Sequence, residues 1–170
     1  MGMFRKVCVL LTLLAYPLGG AGDAPLDRAT LRGLKAVNVV IDPVAPEIQR
    51  EGANADGLRA RLEDRLRDAG IPIDPAANEF VALRLTSVQA PRGPFAIAAS
   101  VGVYQSVTLV RDRNVKTSTQ TWEVETVVLV DRKQVYRACM DSVDELAGHF
   151  ATAFRSVNGA VAEGDKIKQR

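Results

Sequence analysis

The chain has 170 residues, with 22 Lys and Arg against 20 Asp and Glu, and Arg5 and Lys6 account for the formal charge of +2. A nearly neutral chain without a block of like charge lacks the basic surface on which nucleic-acid binding rests. Its two cysteines exclude a disulfide-stapled scaffold, so the fold is held by burial in a single domain of ordinary size.

Residues 1–24 read as a secretory leader. Arg5 and Lys6 form a short positive region, Val7 to Leu18 an apolar run, and Gly19, Gly20 and Ala21 supply the small residues that leader peptidases require. That run falls short of the roughly 20 residues needed to span a bilayer. A lipoprotein leader needs a cysteine just after its apolar core, whereas Cys8 lies inside it. The expectation is periplasmic export without a lipid anchor and with no transmembrane segment in the mature chain. Cys139 then stands alone, unable to pair within the chain, and a buried, inert thiol is expected.

The elements follow in order over residues 25–159. Val37, Val39 and Ile41 alternate with Ala36, Asn38 and Val40, which predicts a half-buried strand over Leu34 to Asp42, stopped by Pro43 and Pro46. Val44 to Ala55 reads as a loop, and Asn54 or Asp56 caps a helix whose apolar residues Leu58, Leu62, Leu66 and Ala69 share one face. Gly70 and Pro72 end that helix, and Ile71 to Ile73 reads as a short extended piece. A strand is predicted over Phe80 to Val88, then a longer one over Phe95 to Val110 with a bulge at Gly102. Arg111 to Ser118 reads as a polar connection, and Thr119 to Val130 as the returning strand of a long hairpin. Gln134 to Arg137 is expected to be a last short strand, and Asp141 or Ser142 to cap a second helix with Val143, Leu146, Phe150, Phe154 and Val157 on its apolar face. Residues 160–170 read as a polar, flexible tail. Two one-faced helices and a mostly antiparallel sheet must cover each other, which gives an α+β two-layer sandwich with both helices on one face.

Chemistry is sparse. One His, His149, and one mature Cys give no metal-ligand set, no glycine-rich phosphate loop lies outside the leader, and no cofactor is expected. Ser142, Glu145 and His149 lie near one helix face without an oxyanion pocket, so an enzyme is not expected. Two surfaces remain. The hairpin tip carries Arg111, Arg113 and Lys116, suited to an acidic partner or to peripheral contact with anionic lipid. The space around Trp122 and Phe150 is the place for an apolar pocket, should sheet and helices part to hold a small ligand or lipid.

Leu31-Arg-Gly-Leu-Lys-Ala-Val-Asn-Val-Val, followed by Leu58 to Gly70 and Ile71-Pro-Ile, resembles the opening of a family of uncharacterised exported bacterial proteins. Leu109-Val110-Arg111 followed by Thr121-Trp122, and Val143-Asp144 with Phe150 and Val157-Asn158, match that family's later segments. The element order is also distantly similar to the outer-membrane lipopolysaccharide-transport plug lipoprotein and to periplasmic accessory domains of envelope assembly machines, although the plug protein's lipidated cysteine is missing. The family brings no assigned activity, and the distant similarity is a fold-level analogy that assigns no role. With no catalytic set in the sequence, the expected role is a non-enzymatic binding or assembly module of the cell envelope acting on an envelope protein partner, with the small-ligand carrier as the alternative.

Overall fold

In the computed structural model, which describes residues 22–159 except 90 and 92, β1 (Asn38–Ile41), β2 (Phe80–Gln89), β3 (Phe95–Leu109) and β4 (Asp112–Val130) form one sheet in the order β1-β2-β3-β4. β1 runs parallel to β2, and the other pairs are antiparallel. Parallel neighbours need a crossover, and α3 (Ala55–Asp68) supplies it. The second long helix is α4 (Val135–Asn158), and the short helices α1 (Pro25–Ala29) and α2 (Pro46–Arg50) complete the set. The chain is thus an α+β two-layer sandwich whose sheet is mixed rather than wholly antiparallel.

The termini of α3 follow from its sequence. The Asn54 side chain accepts from the Gly57 amide at 2.8 Å and satisfies a first-turn donor. Gly70 adopts φ +79°, and Gly70 N–H donates to the Arg67 carbonyl and Ile71 N–H to the Leu66 carbonyl, both at 2.9 Å. This paired closure requires a left-handed residue, which glycine supplies without strain. Leu58, Leu62 and Leu66 are fully buried against the sheet. On the same side, α4 buries Cys139, Val143, Leu146 and Phe150, with Phe154 and Val157 packed partly against the core. Across the helix pair, Arg61 and Arg65 both reach Asp144, at 2.5 and 3.0 Å, an exposed contact that sets orientation more than stability. Asn158 closes the far end, with its Nδ2 donating to the Leu31 carbonyl at 3.0 Å and its Oδ1 accepting from Gly33 N–H at 2.8 Å.

Several expectations need correction. Val44 to Ala55 contains α2, whose Pro46 occupies the first turn, where its missing N–H costs nothing. Gln134 to Arg137 is not a strand: Arg132–Gln134 form a 3-10 turn that leads directly into α4 at Val135, ahead of the expected start at Asp141 or Ser142. β4 begins at Asp112, so the polar residues read as a connection belong mostly to the strand, with Val110 and Arg111 in the turn and residues 113–115 left without partners on β3 where the pairing shifts between Thr108 and Leu109. The bulge lies one residue beyond Gly102: pairing shifts between Val103 and Tyr104, leaving Thr121 as the extra residue on β4. Gly102 has its own role, because a Cβ there would lie 3.0 Å from the Gln120 side chain. Ile71 to Ile73 contributes a single parallel bridge, Val37 to Ile73. Residues 1–21 of the expected leader and the tail 160–170 lie outside the described residues, while Gly22, Asp23 and Ala24 sit within the fold.

Candidate functional site

β2 accompanies β3 only as far as the pair Phe80 and Tyr104. Beyond it, residues 105–109 and 112–120 continue as a two-stranded arm, reaching roughly 17 Å past the sheet at about 3.4 Å per residue. A free two-stranded ribbon is marginal in water, and here its root is clamped on both faces. On one, Phe80 and Tyr104 stack with centroids 4.9 Å apart, and the Tyr104 hydroxyl donates to Gln120 at 2.8 Å. On the other, Gln105 Nε2 donates to the Thr30 carbonyl at 3.0 Å and to Thr121 Oγ1 at 2.7 Å.

The three cations singled out from the sequence are carried by this arm. Arg111 is in the turn, Arg113 follows at the start of β4, and Lys116 pairs with Thr108. All three are exposed, and among the described residues none belongs to an ion pair. Two apolar side chains share the tip, Val110 at 96% and Val115 at 42% exposure. Asp112, also exposed, is turned inward to its own loop, where it accepts from Asn114 N–H at 3.0 Å.

The two outer strands differ. β1 is only four residues long, and the Arg59 guanidinium of α3 donates to its Val39 carbonyl, which covers the edge. β4 runs for 19 residues. Its edge meets protein at Glu123, whose N–H donates to the Gly22 carbonyl at 3.3 Å, and at Thr121, whose carbonyl accepts from Thr30 Oγ1 at 3.3 Å. By the period of two, the backbone groups of Glu125, Val127 and Leu129 face the same way. Val127 and Leu129 are 67% and 71% exposed and line up through Ala98 and Ala96 of β3 with Thr86 and Val88 of β2. This helix-free face carries an apolar end at Val88, Val127 and Leu129.

The interior tells a different story. Trp122 and Phe150 are both buried, with ring centroids 5.2 Å apart, so the two rings fill the space where a pocket was expected. Ser142 is buried, whereas His149 and Glu145 lie exposed and 3.9 Å apart, so the three do not converge. Among the described residues no three His, Cys, Asp or Glu side chains cluster, and no helix is long and apolar enough to cross a membrane. An open concavity of about 850 Å³ is lined by Gln89, Pro91, Gly93, Pro94, Asp131, Arg132 and Lys133. Its Arg132 is already engaged, ion-paired with Glu51 at 2.9 Å and placed over the Phe95 ring at 5.7 Å.

No protein-family model matches the chain, and no curated protein matches it. Among solved structures, it is similar to a PelC dodecamer from Paraburkholderia phytofirmans, with 10% identity and a TM-score of 0.40 over 68% of this chain and 85% of that one. It is also similar to a minor lipoprotein from Acinetobacter baumannii, with 12% identity and a TM-score of 0.32 over 72% of this chain and 93% of that one. At these values neither likeness bears on the role of this chain.

Proposed function

We propose that the protein is a non-enzymatic binding module of the bacterial cell envelope that docks a protein partner through the β3–β4 arm, with the open β4 edge as the adjoining surface. The observation that carries this reading is the arm itself: a ribbon braced at its root that holds away from the body two apolar side chains and three exposed cations with no ion-pair partner among the described residues. Such a surface suits a partner with an apolar groove rimmed by acidic residues, since complementary charge steers encounter and fixes register. The edge beyond Glu123 offers backbone groups to an extended segment, the mode in which a partner adds a strand to a sheet. The leader-like N-terminus supports the periplasmic address.

Capture from envelope extracts tests the reading. The intact protein retains a specific envelope protein, and the combined change Arg111→Glu, Arg113→Glu and Lys116→Glu lowers its retention by about tenfold or more without shifting the unfolding midpoint. Undiminished capture by that variant removes the arm from the account. Binding of the intact protein to anionic phospholipid vesicles with no protein retained transfers the arm to a lipid surface and overturns the protein-partner reading.

A further inference from the structure

The sequence allows three positions for leader cleavage. Small residues stand third and first before the bond Ala21–Gly22, as Gly19 and Ala21, before Gly22–Asp23, as Gly20 and Gly22, and before Ala24–Pro25, as Gly22 and Ala24. The fold distinguishes them, because it uses both Gly22 and Asp23, and only the first bond leaves both in the mature chain.

Gly22 adopts φ +97°, and a Cβ on it would lie 2.6 Å from the Glu123 carbonyl oxygen. The residue is therefore fitted against β4 in a conformation and at a distance that only glycine accepts, and its carbonyl accepts from Glu123 N–H. The Asp23 carboxylate, with its side chain 12% exposed, accepts from Trp122 Nε1 at 2.8 Å and from Arg28 Nε at 2.8 Å, with a second bond from the same guanidinium. Trp122 is the largest fully buried side chain, and Asp23 is the acceptor for its indole N–H. A buried donor left without an acceptor is costly. Cleavage at Ala24–Pro25 removes that acceptor, unpairs Arg28 and exposes the β4 edge at Glu123.

We infer that the leader is removed at the Ala21–Gly22 bond, so that the mature chain begins at Gly22 and keeps Asp23 as the latch on Trp122. In this step water adds across the peptide bond under a leader peptidase, leaving a carboxylate on Ala21 and a free amine on Gly22. The inference rests on the leader reading of residues 1–21 and sharpens it to a single bond.

The intact mass of the protein recovered from the periplasm of cells expressing the full chain is the test. A mass beginning at Gly22 is the expected result. A mass beginning at Pro25, or at any residue after Gly22, overturns the assigned bond while leaving export standing. An unprocessed full-length mass overturns the leader reading itself. As a second measurement, chains prepared to begin at Gly22 and at Pro25 are compared by thermal unfolding, where the longer chain is expected to melt on the order of 5 °C higher. Equal midpoints contradict the latch.

Discussion

The Asp23 carboxylate is fixed by donors from two side chains, Trp122 and Arg28, and its protonation is coupled to the fold. Burial alone pushes its pKa up, but the hydrogen bonds from Arg28 and Trp122, together with the nearby charges of Arg28 and His149, prevail and hold it below its ordinary 3.8. A carboxyl group depressed in the folded state stabilises above its unfolded pKa, and that contribution is lost as pH falls through the folded value. Asp23→Asn is therefore expected to cost about 1 kcal/mol at pH 7, with the gap to wild type closing as pH drops below 3.8. Urea unfolding at neutral and acid pH reads this directly, and a gap of the same size at both rules out the coupling. Cys139 shows what residue-level reading delivers well: the thiol is buried, and burial pushes its pKa up to about 11, which leaves almost no reactive thiolate. Trp122 shows the opposite. Its apolar surroundings were legible, but its acceptor sits 99 positions away, a distance that no local pattern spans.

Elements with one wet and one dry face were readable. α3, β2 and β3 declare themselves because leucine or valine recurs at the helical or strand period against the core. The polar half of β4 did not, because on a two-stranded arm both faces meet water and the alternation that marks a strand vanishes. α2 is five residues long between prolines, too short for a period to register. The first turn of α4 was misread for the same reason, since four residues fit a strand and a helix equally. Once α4 is extended back to Val135, its apolar stripe runs unbroken from Val135 through Cys139, Val143, Leu146 and Phe150. Phe150 lies between Trp122 and Phe154, at centroid distances of 5.2 and 6.2 Å. Phe150→Ala is expected to destabilise the protein by about 3–5 kcal/mol, measured by urea unfolding. A cost below about 1 kcal/mol would mean that this part of the core relaxes around the hole, contrary to the close packing described.

At the scale of the molecule, the helices gather on one sheet face, and among the described residues the other face and the β4 edge beyond Glu123 carry no covering element. The two-layer class followed from counting apolar faces, since each needs a partner. What the count did not supply was the mismatch in strand length, and that mismatch creates the arm: β3 and β4 outlast β2, so their ends have only each other. The basic residues at 111, 113 and 116 were visible as a cluster, but their place at the end of a braced projection depends on where β2 stops.

Docking through this arm is tested most directly by crosslinking in intact cells with an amine-reactive reagent, followed by mass spectrometry. Lys116 should yield a reproducible crosslink to one envelope protein, and the Arg111→Glu, Arg113→Glu variant, which retains Lys116, should lose it. A Lys116 crosslink that survives the double reversal, or exported protein whose crosslinks all arise away from the arm, would contradict the account.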